Sequence, residues 1–323
     1  MFYTFYVEKL PHSCVRFALN RTMKRFISVL FIGVVVALAP SCNIDEEFTT
    51  DMPEPLKVYE YTPAPGQFIN DMVASGFDGT QTTAEKAVEY AKSRLSKGLY
   101  VSLGGFGGYI VVGFDHNVVN YPQYDFDILC NAFDGSSEPG IVWVMQDENG
   151  DGKPNDTWYE LAGSETGKVE TIQNYAVTYY RPSGAKEAVQ WRDNLGNSGE
   201  LVYLGGKHSG DSYYPQWIDS ESYTLTGTCL KARNYDKLGD GSLWVNPSYD
   251  WGYADNQSTE DFSAKSKSNL FDISNAIDAE GRHVELEHIN FVKVQCGVNA
   301  VSGYLGEIST EICGVRDIHA IEL

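Results

Sequence analysis

Residues 100–114 read YVSLGGFGGYIVVGF. Two short runs of β-branched and aromatic residues flank a glycine-rich segment, and this pattern is typical of β-strands. The glycines lack the GxGxxG spacing, and the second run continues as a strand, which argues against a nucleotide-binding loop. We therefore predict a tight hairpin in which the glycines let two backbones approach closely.

Similar short strand-like runs recur along the chain, bounded by Gly, Asn or Asp. They are Tyr100–Leu103, Tyr109–Phe114, Phe126–Asn131, Ile141–Met145, Trp158–Leu161, Tyr175–Tyr180, Tyr223–Thr226, Phe291–Gln295 and Ile318–Ile321. Because no regular helices alternate with them, the sequence predicts a mostly β protein, an antiparallel β-sandwich or jelly roll. The polar segment Ser183–Gly210 is predicted to be a loop.

One helix is expected near residues 83–97. Thr82 and Glu85 form a capping box, an apolar stripe follows, and Gly98 suits the C-terminal end. This helix is expected to pack against the end or side of a sheet.

The chain is strongly acidic, with 24 Lys and Arg against 44 Asp and Glu and a net charge of −20. Such a surface repels phosphate backbones, so nucleic acid is not an expected partner. The acidity suits cation binding, and it equally serves to keep an exposed protein soluble.

The N-terminal region indicates export. Met23-Lys24-Arg25 precedes the apolar stretch Phe26–Leu38, which is too short for a transmembrane helix, and residues 23–41 are predicted to be a signal peptide. Residues 39–42 (Ala-Pro-Ser-Cys) resemble a bacterial lipobox, so Cys42 is the predicted lipidation site and the only expected membrane attachment. Residues 1–22 are expected to be untranslated, with the true start at Met23.

The region after Cys42 is expected to be a linker over residues 42–60, followed by a single β-sandwich domain over residues 61–323. The acidic run Asp45-Glu46-Glu47 resembles a surface-export signal, although an ordinary solvated linker has the same composition. We predict an outer-membrane protein that is lipid-anchored and exposed at the cell surface. Four cysteines remain in the domain, and both disulfides and free thiols are compatible with their spacing: Cys130, Cys229, Cys296 and Cys313.

Residues 147–158 read DENGDGKPNDTW. Oxygen-bearing side chains at positions 1, 3 and 5, a glycine at 6 and a carbonyl at 7 are typical of an EF-hand-type calcium loop. Position 12 departs from that pattern because Trp158 replaces the glutamate, and Asp156 or Glu160 is the candidate to complete the shell. The predicted calcium ligands are Asp147, Asn149, Asp151, Lys153, Asn155 and Asp156. A plain Asx/Gly turn is the alternative.

Aromatic residues beside amides and carboxylates mark a second candidate site. Flat rings stack on apolar faces of sugars or of a macrocyclic cofactor, and polar neighbours fix the orientation. The predicted ligand-binding residues are Trp244, Tyr249, Asp250, Trp251, Tyr253, Asp255 and Asn256, together with Tyr214 and Trp217. Aromatic residues that simply fill a sandwich core are the alternative.

Catalytic motifs are weak. None of the six histidines lies in an HExxH motif and no GxSxG elbow occurs. Asp115 and His116 are adjacent in a strand, so their side chains are expected on opposite faces. We predict a protein that is not an enzyme. A glycan hydrolase remains an alternative, because a carboxylate pair is common among so many acidic residues.

Several longer motifs resemble one family. They are SLGGFGGYIVVGFD at residues 102–115, EPGIV at 138–142, WYELAGSE at 158–165, YDWGYADN at 249–256 and LGEISTE at 305–311. The resemblance is to cell-surface lipoproteins of gut Bacteroidetes that are associated with PKD domains. It implies a β-sandwich that accompanies TonB-dependent outer-membrane uptake, including uptake of corrinoids such as cobalamin, and it brings no catalytic residues.

Together these patterns predict a surface lipoprotein that captures a nutrient, either a glycan or a corrinoid, for a TonB-dependent transporter. Calcium is expected to stiffen the edge of the sheet. A structural or adhesive surface protein without a small-molecule site is the main alternative, and a surface glycan hydrolase is the second.

Overall fold

The computed structural model describes residues 56–205 and 210–320. The predicted leader, Cys42 and the linker up to residue 55 lie outside these residues. The described residues belong to one compact unit. Within them, no helix combines the length and apolar character needed to cross a membrane.

The described chain has one α-helix, α1 (Ala84–Leu95), and its strands follow in chain order. They are β1 (Lys57–Thr62), β2 (Val101–Ser102), β3 (Tyr109–Val119), β4 (Phe126–Cys130), β5 (Gly140–Met145), β6 (Tyr159–Leu161), β7 (Ile172–Tyr180), β8 (Val189–Asp193), β9 (Ser198–Leu201), β10 (Ser222–Cys229), β11 (Tyr235–Asp236), β12 (Trp244–Val245), β13 (Phe262–Ser263), β14 (Ser268–Phe271), β15 (Ala276–Ile277), β16 (His288–Cys296) and β17 (Glu311–Asp317).

Two antiparallel sheets form the sandwich. The first has the order β1-β3-β16-β5-β6-β15 and the second the order β13-β14-β4-β17-β2. Their shared core is built from one face of each sheet: Val112, Val292 and Val144 lie opposite one another across the first, and Phe126 and Ile128 come from the second. The prediction of a mostly β antiparallel sandwich with one helix is confirmed.

A third sheet, in the order β10-β7-β8-β9, lies over the glycine-rich segment. The Tyr179 hydroxyl donates to the Phe106 carbonyl at 2.9 Å, and the Gln295 amide donates to the carbonyls of Gly107 and Thr226. The prediction of a loop over Ser183–Gly210 was wrong, because β8 and β9 form a hairpin there. Its inward residues Val189 and Leu201 are buried, but its other positions are mostly polar.

The glycine-rich segment is not a hairpin. β2 pairs with β17 in the second sheet and β3 pairs with β1 and β16 in the first, so residues 103–108 cross between the sheets. The expected close approach does occur: a Cβ on Gly108 would lie 1.9 Å from the Leu103 carbonyl oxygen, and Gly104 has a φ of +67°. Side chains at these positions would collide with backbone.

The helix agrees with its prediction within one residue at its start and two at its end. Thr83, not Thr82, is the N-cap and accepts from the Lys86 N–H, and Gly98 follows the helix with a φ of +64°. Ala87, Tyr90 and Ala91 bury one face in the sandwich core. All four cysteines of the described domain are free thiols.

Candidate functional site

Most of the predicted aromatic site belongs to the core. Tyr249 and Tyr253 are 2% and 3% exposed and meet edge to face, with ring centroids 5.5 Å apart. The Tyr249 hydroxyl donates to the Lys231 carbonyl, and the Tyr253 hydroxyl accepts from the Glu165 N–H. A ligand arriving from solvent does not reach either ring.

The other predicted aromatic residues are dispersed. Trp217 stacks on Phe77 in the sandwich core at 5.8 Å, and the Tyr214 ring is buried under the third sheet, where its hydroxyl donates to the Ser220 carbonyl. Trp244 is half-buried against Gly303. Trp217 and Tyr214 therefore belong to other hydrophobic clusters than Tyr249 and Tyr253.

Of the predicted polar residues in the loop over residues 249–256, two are buried and one is exposed. The buried Asn256 side chain accepts from the Tyr249 N–H and donates to the Tyr249 carbonyl, so it closes the loop on itself. Asp255 is buried with a φ of +51° and accepts from the Glu311 N–H. Asp250 is exposed, 4.0 Å from the Arg233 guanidinium.

One cavity of the described chain is lined by Trp251 and by none of the other predicted ligand-binding residues. This cavity, which we call the cleft, has a volume of about 510 Å³. Its lining is Gln123, Tyr124, Leu161, Ala162, Trp251, Gly252, Glu260, Asp261, Leu270, Phe271, Asp272 and Asn275. Its size lies within the range of small-molecule sites.

The cleft is lined by strands of both sandwich sheets, each of them second from the edge of its sheet. Leu161 ends β6 of the first sheet, and Leu270 and Phe271 end β14 of the second. The Ala162 N–H donates to the Asn275 carbonyl at 2.8 Å, which extends the pairing of β6 with β15 beside the cleft. The floor is therefore apolar, while loop residues supply the polar rim.

Backbone constraints hold Trp251 at this rim. The Gly252 N–H donates to the buried Asp261 carboxylate at 2.6 Å, and the Trp251 carbonyl accepts from the Ser164 N–H at 3.0 Å. Gly252 has a φ of +88°, and a Cβ there would lie 2.5 Å from the Gly163 Cα, so the position requires glycine. These contacts fix the backbone of Trp251, whose side chain is partly exposed.

Three acidic residues line the cleft together with Tyr124: Glu260, Asp261 and Asp272. The pKa of Tyr124 is raised by burial and further by the negative charges of Asp261, Glu260 and Asp272. The Asp261 carboxylate is internally occupied, since it accepts from Gly252, Ser258 and Asn269, and burial raises its pKa. Glu260 is exposed, and the Asp272 carboxylate accepts from the Ser274 N–H through one oxygen, so these two keep acceptor capacity for a ligand.

The acidic loop, residues 147–156, is exposed and folds around Asp147. The Asp147 carboxylate accepts from the N–H groups of Gly150, Asp151 and Gly152 at 2.9, 3.2 and 2.9 Å. The predicted calcium-ligand side chains meet in pairs: the Asn149 amide donates to Asn155 and Asp156, and the Asn155 amide donates to Asp151. Among the described residues no group of three or more His, Cys, Asp or Glu is arranged to hold a metal ion.

Glu160 is not part of the acidic loop. It is 6% exposed, its carboxylate accepts from the Thr228 hydroxyl at 2.5 Å, and burial raises its pKa to about 7. Asp156 is the other residue considered for completing the shell. It does lie in the loop, where its carboxylate accepts from the Glu148 N–H.

Sequence reasoning missed a buried carboxylate cluster formed by Glu138, Asp255, Glu307 and Glu311. Burial raises the pKa of Glu307 to about 8 and that of Glu311 to about 7, and it raises the pKa of Glu138 and Asp255 as well. One oxygen each of Asp255 and Glu311 has no hydrogen-bond partner within the described chain. The alternating Glu307-Ser309-Glu311 pattern was the available signal, since alternate residues of an extended chain share a face.

The expectation that Asp115 and His116 point apart was wrong. His116 Nδ1 lies 2.8 Å from an Asp115 carboxylate oxygen, and Nε2 lies 3.0 Å from an Asp317 oxygen. The register between β3 and β16 shifts at this point, where residues 114–117 face only Asn290. The alternation of faces is therefore interrupted.

A comparison with protein-family models matches no family, and a comparison with curated proteins finds no significant relative. The resemblance to Bacteroidetes surface lipoproteins therefore stays a prediction.

Proposed function

We propose that this protein is a surface lipoprotein that captures a small glycan in the cleft and delivers it to an outer-membrane transporter of the TonB-dependent class. The observation that carries the proposal is the position of Trp251, a partly exposed residue that lines a cavity of about 510 Å³ together with the apolar Leu161, Leu270 and Phe271. Uncommitted carboxylate oxygens and amides at the rim suit hydroxyl groups.

A glycan suits this cleft better than a corrinoid. The buried positions of Tyr249 and Tyr253 leave no broad stack of rings for a flat macrocycle at this loop. The cleft instead offers two partly exposed rings, Trp251 and Tyr124, beside the polar groups of Gln123, Glu260 and Asn275. A single sugar ring has one apolar face and a hydroxyl edge, which corresponds to this arrangement.

Calcium is part of the same proposal. The side-chain oxygens of Asp147, Asn149, Asp151, Asn155 and Asp156 and the Lys153 carbonyl would hold the ion. Support comes from the wrapping of the loop around Asp147 and from the hard oxygen donors that Ca²⁺ prefers. The Tyr59 hydroxyl on β1 donates to the Gly152 carbonyl, so an ordered loop would brace the edge strand of the first sheet.

The test is a binding screen of the protein from Asp45 onward against neutral glycans and cobalamin by isothermal titration. We expect a glycan to bind, and we expect Trp251→Ala to weaken it at least about tenfold, as removal of a central aromatic contact does. Trp191→Ala on β8 is the matched control, because that half-buried ring lies in the third sheet and should leave affinity unchanged.

The competing candidate is a structural or adhesive protein, which the buried Tyr249 and Tyr253 favour. In that case no sugar binds, and Trp251→Ala lowers the melting temperature. Cobalamin binding without glycan binding would replace the ligand class, and release of shortened sugars would favour a hydrolase.

A further inference from the structure

The charge of the cleft restricts the kind of glycan it accepts. Glu260, Asp261 and Asp272 line it, and none of its lining residues in the described chain is Lys, Arg or His. The whole protein carries a net charge of −20, so no long-range field offsets the local one. We infer, resting on the proposed function, that the cleft selects glycans that carry a protonated amine and rejects those that carry carboxylate or sulfate.

The contacts at the rim support this selection. The Tyr124 hydroxyl donates to the Glu260 backbone carbonyl at 3.5 Å, which holds Tyr124 beside the acidic segment of the lining. Burial raises the pKa of Tyr124, and the negative charges of Asp261, Glu260 and Asp272 raise it further. Asp261 is internally occupied, but Glu260 and one oxygen of Asp272 are available to accept from an ammonium group. Hydrogen bonds from an ammonium to a carboxylate are stronger than those from a neutral hydroxyl.

The aromatic residues favour the same ligand class. A cation near the face of Trp or Tyr is attracted by the ring quadrupole, and Trp251 and Tyr124 both line the cleft. An amino sugar therefore satisfies the carboxylates and the rings at once, whereas an N-acetylated sugar uses only the rings and neutral hydrogen bonds. A uronic acid meets like charge at the rim.

The experiment compares a β-1,4-linked glucosamine disaccharide, its N-acetylated counterpart and a galacturonic acid disaccharide by isothermal titration. We expect the amine form to bind about tenfold more tightly than the acetylated form, since each partly exposed ion pair contributes up to about fivefold. The advantage should shrink with added salt. The acidic disaccharide should not bind measurably.

Glu260→Gln and Asp272→Asn should each weaken binding of the amine form more than binding of the acetylated form, and so remove part of the amine preference. The side-chain amide introduced by Asp272→Asn still offers an acceptor oxygen to the Ser274 N–H, so the fold is retained. Glu89→Gln removes one charge from the exposed face of α1 and is the matched control, which should change nothing.

Equal affinity for the amine and acetylated forms, or tighter binding of the acidic form, would overturn this inference while leaving glycan capture intact. Absence of binding by every sugar, neutral ones included, would overturn the capture proposal itself.

Discussion

The acidic loop and the buried carboxylate cluster are both rich in carboxylates, but their carboxylates lie in opposite environments, one solvated and the other buried. In the loop, Asp147 accepts from three backbone N–H groups and its neighbours are solvated. In the cluster, Asp255, Glu307 and Glu311 are buried, and burial is the main cause that raises their pKa.

This difference shows that a carboxylate charge destabilises the fold when it is buried without enough hydrogen-bond donors. Exposed carboxylates that receive N–H donors remain ionised at little cost, whereas buried ones without enough donors hold protons or destabilise the fold. Arg94 is the cation that lowers the pKa of Glu311, and it does not compensate for four acids. The cluster should therefore dominate the pH dependence of folding, and the loop should dominate the response to calcium.

The largest expected effect is a fall in the free energy of unfolding as pH rises from about 5 to about 8. Above the ordinary carboxyl pKa, the unfolded chain releases protons that Glu307 and Glu311 still hold, until their folded pKa values of about 8 and about 7 are passed. The ceiling for Glu307 alone is on the order of 5 kcal/mol.

Urea denaturation at a series of pH values measures this profile. Glu307→Gln should flatten it and raise stability at pH 8, because the amide still accepts from the Gln67 N–H without ionising. A wild-type profile that is flat or rises over this range would contradict the assignment.

The second largest expected effect is a loss of stability, and of the response to calcium, when the acidic loop is altered. Asp147→Ala removes the acceptor of three N–H groups, so we expect a loss of about 1–3 kcal/mol and no rise in melting temperature on adding calcium. Asp240→Ala is the control, since Asp240 also caps an exposed turn through the Ser242 N–H.

Thermal unfolding with calcium or with chelator distinguishes the two variants. A calcium-dependent rise that survives Asp147→Ala would exclude this loop as the calcium site.

The smallest expected effect is the contribution of His116 to the pH dependence of stability. The Asp115 and Asp317 carboxylates raise its pKa above 6.5, so its contribution is present below that value and lost as pH rises through the folded pKa. The ring is 44% exposed, and such pairs contribute only a few tenths of a kcal/mol. His116→Gln should therefore leave the slope of the pH profile nearly unchanged, and an NMR titration of His116 that gives a pKa below 6.5 would contradict the pairing.

Local patterns predicted much of this fold and little of the site. Runs such as Tyr109–Phe114 and Ile141–Met145 were found because their apolar residues are contiguous and buried. The last strand was placed at Ile318–Ile321 instead of Glu311–Asp317, because Glu311, Arg316 and Asp317 hide its pattern although all three are buried.

The cleft could not be predicted in this way, because its lining residues come from segments that are far apart in the sequence and meet only in the folded protein. For example, Trp251 lines the cleft together with Tyr124 and Leu161. Tyr249 and Tyr253 are aromatic like Trp251 and lie in the same turn-rich segment, but they are buried in a hydrophobic cluster. The chain turns at Gly252, where its N–H donates to Asp261. The sequence therefore predicted an aromatic site in this segment, but it could not distinguish the residue that lines the cleft from those that are buried.

Hydrogen–deuterium exchange with and without a bound glycan tests the central claim most directly. We expect added protection at Gln123–Tyr124, Trp251–Gly252, Glu260–Asp261 and residues 270–275, with none in the third sheet. Protection centred on β7–β10, or no added protection at the cleft under saturating sugar, would contradict the assignment of the cleft as the binding site.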